Sequence, residues 1–132
     1  MRMFRASCFA AALCLGLAAC GGGGDDSDGA PPAPTTATVE YSVSTAGNLG
    51  ALVLADVTYS QPGAGTAQQS SFAFTKTFTA KSGDFLYVSA QNNGLYANSS
   101  VTSTIKVNGV VFRTVTSLGR FSIATATGTC CK

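Results

Sequence analysis

The stretch "SVTSTIKVNGVVFRTVTSL", residues 100–118, is the part of the sequence that decides the predicted fold. Within it, two runs of alternating side chains flank Asn108 and Gly109. Asn-Gly is favoured in two-residue type I′ turns, where both central residues take positive φ and the flanking strands pair antiparallel. The stretch therefore predicts a β-hairpin.

Similar short runs with a period of two residues lie on both sides of the hairpin. The run "TVEYSVST", residues 38–45, places Val39, Tyr41 and Val43 on one face. Further runs are "ALVLADVTYS" at 51–60, "SSFAFTKTFTA" at 70–80, "FLYVSAQ" at 85–91 and "RFSIATAT" at 120–127. Turn residues separate the runs, and no segment shows a sustained helical period. We predict an all-β chain that forms one immunoglobulin-like β-sandwich of about seven to eight strands, with a small barrel as the alternative.

The predicted domain has enough apolar side chains for a hydrophobic core. The run at 85–91 is apolar on both faces, which is typical of a central strand between packed layers. We expect the phenylalanines of the predicted strands and turns to contribute to the core, namely Phe72, Phe74, Phe78, Phe85, Phe112 and Phe121.

The first residues have the pattern of an export signal. Arg2 and Arg5 precede an uncharged, apolar run from Cys8 to Ala19. In the same way, the positively charged n-region of a signal peptide precedes its apolar h-region. A helix that spans a bilayer needs about 20 apolar residues, so a cleaved signal fits this shorter run better than a permanent anchor.

The signal ends in a sequence that resembles the lipobox of bacterial lipoproteins, a Leu-x-small-Cys pattern. The matching residues are Leu17, Ala18, Ala19 and Cys20. The resemblance implies cleavage before the cysteine, a diacylglycerol on its thiol and an acylated amino terminus. We predict a signal peptide over residues 1–19, a lipidated flexible linker over 20–37 and the β-sandwich over 38–132. An ordinary signal peptide that happens to end in Cys is the alternative.

The linker composition fits a solvated tether, because its Gly, Asp and Pro residues cannot bury apolar area. Its "DDSD" segment, residues 25–28, lacks the later Gly and Glu of an EF-hand calcium loop. Two or more acyl chains hold a protein stably on a membrane. We therefore predict a membrane anchor through Cys20, with no metal and no cofactor other than this covalent lipid.

The charge of the mature chain excludes nucleic acid as a partner. From Cys20 onward the sequence contains six Lys and Arg and six Asp and Glu, so the net charge is zero. Binding to phosphates requires a basic surface, which this composition does not provide.

The sequence also gives little support for catalysis. It contains no His, the commonest general base. The carboxylates Glu40, Asp56 and Asp84 lie in different predicted elements. The segment "STIK", Ser103 to Lys106, matches an S-x-x-K pattern that needs a helix, whereas residues three apart on a strand face opposite sides. We predict that the protein is not an enzyme.

The order of several motifs resembles the extracytoplasmic domain of the MmpS-type small membrane proteins. These motifs are "VEYSVS", "ADVTYSQPGAGTAQ", "SGDFLYVSAQNNG", "IKVNGVV" and a following Cys, over residues 39–131. The resemblance implies a β-sandwich with an accessory role beside a membrane transporter. The chain departs from that family in two ways: it has a lipobox instead of a transmembrane helix, and Ser103 occupies the place of a family cysteine.

These features predict a lipid-anchored, non-catalytic accessory or interaction module of the cell envelope, with an envelope protein as its partner. Because Gly21 rather than Asp follows Cys20, the sorting pattern resembles delivery to the outer membrane, facing the periplasm. The alternative is a module that binds a carbohydrate or small ligand through end loops such as residues 91–99. In that loop Leu95 and Tyr96 are candidates for partner contact, or they fold back over the end of the sandwich.

The last candidate site is the pair Cys130 and Cys131. Cys8 and Cys14 leave with the signal and Cys20 carries lipid, so these two thiols enter an oxidising compartment free. We expect at least one of them to pair outside its own domain. A disulfide between the two neighbours, or two reduced and unreactive thiols, are the alternatives.

Overall fold

The alternating segments form eight strands in the computed structural model, which describes residues 35–47, 53–94 and 96–131. In chain order the strands are β1 (Thr36–Ala46), β2 (Ala55–Gln61), β3 (Gly65–Ser71), β4 (Ala73–Lys81), β5 (Phe85–Asn92), β6 (Ser100–Val107), β7 (Val110–Leu118) and β8 (Ile123–Thr129). The strands account for the alternation in the sequence, because successive side chains of a strand point to opposite faces. The first strand begins two residues before the predicted domain boundary.

The strands form two four-stranded sheets in which all pairs are antiparallel. The order is β4-β1-β6-β7 in sheet A and β3-β2-β5-β8 in sheet B. The all-β sandwich is confirmed. Strands β1 and β4 are neighbours in one sheet, and β2, β5 and β8 are neighbours in the other. Strands B and E, and C, F and G, are likewise neighbours in the immunoglobulin fold, but here β6 and β7 intervene in the chain between β5 and β8 and add to the other sheet.

The core lies between the sheets and is built from one face of each strand. Val39, Tyr41 and Val43 alternate inward from β1, as the sequence predicted. Leu86 and Val88 of β5 face them from sheet B. Alanines occupy many of the remaining inward positions, and they leave room for the larger side chains: Ala37, Ala55, Ala80, Ala90, Ala124 and Ala126.

The prediction of a phenylalanine core was wrong for most positions. Of the phenylalanines named above, Phe74 is buried and Phe78 is partly buried against the core. The other four are 46–61% exposed: Phe72, Phe85, Phe112 and Phe121. Phe85 shows the reason, because Leu86 takes the inward position at the start of β5 and turns Phe85 to the outer face.

The predicted hairpin is present between β6 and β7. Asn108 and Gly109 have φ values of 51° and 80°, as a type I′ turn requires. Asn108 also ties the turn to β1, because its N–H donates to the carbonyl of Thr38 at 2.8 Å and its Oδ1 accepts the N–H of Thr38 at 2.9 Å. The hairpin therefore fixes one end of sheet A.

A β-bulge in this hairpin closes one side of the sandwich. Ile105 pairs with Arg113 and Lys106 with Val111, so Phe112 is the extra residue in β7. Its ring lies over Gly128 of β8, where an added Cβ would come within 2.1 Å of the ring. Gly128 thus provides the space that lets an aromatic ring bridge the edges of the two sheets.

Candidate functional site

The lipobox residues Leu17, Ala18 and Ala19, the lipidation residue Cys20 and the loop residue Leu95 lie outside the residues that the structure describes. The lipid anchor therefore stays a prediction. Among the described residues there is no helix long and apolar enough to cross a membrane.

Tyr96 lies at the exposed end of the sandwich, with 52% of its surface accessible. Its carbonyl accepts hydrogen bonds from the hydroxyl and the N–H of Ser99, at 2.7 and 3.2 Å. The backbone next to Tyr96 is therefore held in place while its ring remains accessible to a partner.

Buried Asn92 organises the same end of the molecule. Its Nδ2 donates to the hydroxyl of Ser99 at 2.7 Å and to the carbonyl of Gly119 at 2.9 Å, and its Oδ1 accepts the N–H of Gly94 at 2.8 Å. Because all these groups are satisfied, the network positions the loop and does not present an unpaired group to a ligand.

The three carboxylates of the domain are not brought together. Glu40 forms an ion pair with Lys106 at 2.9 Å on the outer face of sheet A. Asp84 accepts the N–H of Lys81 at 2.7 Å in the β4–β5 turn. Asp56 lies on the outer face of sheet B, so no two of these groups form an acid–base pair. The described ranges contain no cluster of acidic or sulfur side chains that could hold a metal.

The S-x-x-K match has the geometry expected of a strand. Ser103 is buried, and its hydroxyl donates to the carbonyl of Ala124 at 2.9 Å. Lys106 points to the other face and binds Glu40. Ser103 therefore acts as a structural link between the sheets.

A groove of about 610 Å³ lies on the outer face of sheet B. We call it the polar groove. It crosses all four strands and is lined by Asp56, Val57, Thr58, Gln68, Gln69, Ser70, Ser89, Gln91 and Ile123. The sequence did not predict it, although most of its polar residues occupy alternate positions of β2, β3 and β5, namely Asp56, Thr58, Gln68, Ser70, Ser89 and Gln91.

The strand register aligns these side chains in two rows. In the first row, Asp56 is opposite Ser70 on β3 and Gln91 on β5, and Gln91 is opposite Ile123 on β8. In the second row, Gln68 Nε2 donates to Thr58 Oγ1 at 3.2 Å, and the hydroxyls of Ser89 and Thr125 are 2.8 Å apart. The groove thus presents amide and hydroxyl side chains around one carboxylate.

Hydrogen bonds hold the carboxylate of Asp56 in its charged form. The Ser70 hydroxyl donates to Oδ1 and the Asn93 amide donates to Oδ2. These bonds, with the Ser70 hydroxyl the larger cause, keep the pKa of Asp56 below its usual value. Asp56 is therefore an oriented anion within the groove.

Cys130 and Cys131 lie at the end of the sandwich opposite Asn92 and Tyr96. The structure joins their sulfur atoms in a disulfide between adjacent residues. Cys130 is buried, its N–H donates to the carbonyl of Asp84 at 2.9 Å, and its carbonyl accepts the N–H of Gly83 at 3.1 Å. The Ser82 hydroxyl donates to the carbonyl of Cys131 at 3.1 Å. The pair is therefore fixed against the β4–β5 turn. The structure has the alternative of a disulfide between the two neighbours and not the expected pairing outside the domain.

Comparison with known proteins gives no relationship from which a function could be transferred. No protein-family model matches the chain, and a search of curated proteins finds no match.

Proposed function

We propose that the protein is a lipid-anchored, non-catalytic accessory module of the bacterial cell envelope that binds an envelope protein through β7. The lipobox and the solvated linker support the anchor. Gly21 after Cys20 supports the outer membrane, facing the periplasm. The MmpS-type resemblance makes a membrane transporter the first class of partner to test.

The observation that carries the proposal is the exposed edge of sheet A. Strand β7 pairs with β6 on one side only within the described residues, so its other side presents backbone N–H and C=O groups. Its side chains Val110, Val111 and Leu118 are 70%, 56% and 78% exposed. Edge strands are usually protected by charges, Pro or β-bulges. Strand β7 has Arg113 as its single charge and one bulge at Phe112, so its unprotected part is the stretch from Thr114 to Leu118. Such an edge suits pairing with an extended strand of a partner.

The separation of the carboxylates supports a non-catalytic role. Glu40 is engaged by Lys106, and Asp84 accepts a backbone N–H within its own turn. A paired-carboxylate mechanism needs two such groups on either side of a substrate. Asp56, the carboxylate in the polar groove, has amide and hydroxyl neighbours instead of a second acid.

The anchor is tested with Cys20→Ala in the full chain. We expect loss of metabolic lipid labelling, with the protein left unprocessed or released to the soluble fraction. Cys130→Ser serves as the matched control, since it also removes a cysteine but leaves the lipobox intact, and it should label normally. A processed Cys20→Ala protein that stays on the membrane would contradict the anchor.

The partner surface is tested by photo-crosslinking in cells. A photo-reactive amino acid replaces Leu118 or Val111 in β7, and Thr77 on β4, the opposite edge of sheet A, is the matched control. We expect the β7 positions to give a defined crosslinked envelope protein that is absent with the Thr77 control. Equal crosslinking from β4, or none from β7, would contradict this assignment.

A further inference from the structure

We propose that the polar groove on sheet B is a binding site for a neutral, hydroxyl-rich ligand, a short segment of oligosaccharide or polysaccharide. This inference goes beyond the proposed function, because the groove lies on a different sheet from β7. It also differs from a site in the end loops at residues 91–99, since its contacts come from the strands themselves.

Asp56 supplies the central acceptor for such a ligand. An ionised carboxylate offers about four lone-pair sites, and the protein uses one position on each oxygen, for Ser70 and Asn93. The remaining sites can accept two hydroxyl hydrogens. Because Ser70 and Asn93 already fix the carboxylate, a ligand would meet it in one orientation, which lowers the entropic cost of binding.

Gln91 supplies both a donor and an acceptor beside this carboxylate. It is opposite Asp56 on the neighbouring strand, and its side chain makes no hydrogen bond with the described part of the protein. An amide presents two N–H hydrogens and a carbonyl oxygen. Paired hydroxyls of a sugar offer the complementary donors and acceptors, so Gln91 and Asp56 can contact one sugar ring together.

Ile123 gives the groove an apolar end. It is opposite Gln91 on β8, and 56% of its surface is exposed. Sugar rings combine hydroxyls at their edges with C–H groups on their faces, and burying C–H groups against an aliphatic side chain is favourable. Along the first row, a ligand would therefore meet the polar side chains of Asp56 and Gln91 and then the apolar side chain of Ile123.

The chemistry of the lining argues against other ligand classes. No Lys or Arg lines the groove, and the charge of Asp56 repels anions. A divalent cation needs several oxygen ligands with their charges, and Asp56 is the one acidic residue in the lining. An apolar ligand would leave the amides and hydroxyls without partners, which costs free energy. Among these classes, a neutral polar molecule is the one that the lining fits.

The size of the groove is also suitable. Its volume of about 610 Å³ lies within the range of about 300–1,000 Å³ that is usual for small-ligand sites. Four strands spaced about 4.8 Å apart make each row about 14 Å long. This length suits a short chain of sugars that crosses the strands.

The test measures binding to the full chain, purified from membranes in detergent, by isothermal titration calorimetry. The probes are neutral oligomers of glucose with β-1,4, β-1,3 and α-1,4 linkages, and of N-acetylglucosamine. We expect saturable binding to at least one probe. Asp56→Asn and Gln91→Ala should each weaken it at least about tenfold, the effect of losing roughly 1.4 kcal/mol of binding free energy.

Gln61→Ala is the matched control, because Gln61 belongs to β2 but lies outside the groove. It should bind like the wild type, and thermal melts should show that all variants remain folded. The absence of binding to every neutral probe, or binding that Asp56→Asn and Gln91→Ala leave unchanged, would overturn the proposal. Neither result affects crosslinking from β7, so the two proposals fail independently.

Discussion

The hydroxyl of Tyr41 in sheet A lies 3.1 Å from the backbone nitrogen of Tyr87 in sheet B and accepts its N–H. Tyr41 is fully buried, and its hydroxyl also lies 3.1 Å from that of Ser60. The pairing of β2 with β5 runs from Ala55 to Tyr59, so Tyr41 and Ser60 satisfy the backbone just beyond it. One core side chain thus links the two sheets.

Tyr41→Phe should lower the free energy of unfolding by about 1 kcal/mol, because a buried hydrogen bond is lost without a cavity. The loss stays moderate because the N–H of Tyr87 keeps the Ser60 hydroxyl as a second acceptor at 3.1 Å. Denaturant titration measures the difference. Tyr59→Phe is the matched control, since its hydroxyl accepts one longer bond of 3.3 Å from Gln61. A larger loss for Tyr59→Phe would contradict the role of Tyr41.

The same residue predicts a loss of stability at alkaline pH. Burial raises the pKa of Tyr41. Its contribution is fully present below the unfolded pKa of about 10 and is lost as the pH rises from there through the folded pKa. The stability difference between wild type and Tyr41→Phe should therefore shrink above about pH 10. A difference that stays constant from neutral to alkaline pH would contradict this sign.

Asp56 should affect stability in the acid range. Its folded pKa is depressed by Ser70 first and by Asn93 second. The stabilising contribution is present above the unfolded pKa of about 3.9 and is lost as the pH falls through the folded pKa. Ser70→Ala should move the NMR-measured pKa of Asp56 up towards this value, while Ser89→Ala, in the same groove, should not. Equal pKa values in Ser70→Ala and wild type would contradict the assigned cause.

The turn at Asn108 and Gly109 should be sensitive to substitution. Gly109→Val should cost at least about 1 kcal/mol, because a β-branched residue resists the positive φ of 80° at this position. Gly109→Asn is the control, since Asn tolerates positive φ better than other residues with a side chain. Thermal melts of both variants check the prediction. Equal melting midpoints for Gly109→Val and the wild type would show that the turn does not limit stability.

Local patterns in the sequence predicted the hairpin and the inward face of β1. Asn108 and Gly109 form a turn within a few residues, and Val39, Tyr41 and Val43 alternate with polar neighbours, so each feature depends on adjacent positions only. The start of β5 was different, because both of its faces are apolar. The alternation of side chains then separates two faces of the strand but does not indicate which face is buried. Phe85 was therefore wrongly predicted to face the core.

The polar groove could not be predicted for a related reason. Asp56 and Gln91 become neighbours only through the pairing of β2 with β5, and Ile123 joins them through β8. Strand order and register are set by the packing of the whole sandwich and are not visible in any one segment. Each polar residue alone resembles an ordinary outward position of a strand, so the sequence pattern indicated the loop at 91–99 as the candidate binding region instead.

The disulfide of Cys130 and Cys131 gives the last prediction. Because both sulfur atoms are used within one chain, we expect the wild type to run as a monomer on non-reducing gels after alkylation at lysis. Trypsin cleaves after Arg120, so peptide 121–132 contains both cysteines. Its mass should be two hydrogens below that of the reduced peptide, and it should take up alkyl groups only after reduction.

The two single variants should differ in stability. Cys130 is buried in the core and Cys131 is only partly buried against it, so Cys130→Ser should lower the melting midpoint more than Cys131→Ser. Each variant also frees one thiol, which should then react with an alkylating reagent, and the thiol left at 131 should react faster because it is more accessible. A wild-type band at dimer mass that reduction removes would show instead that these cysteines pair with a second chain.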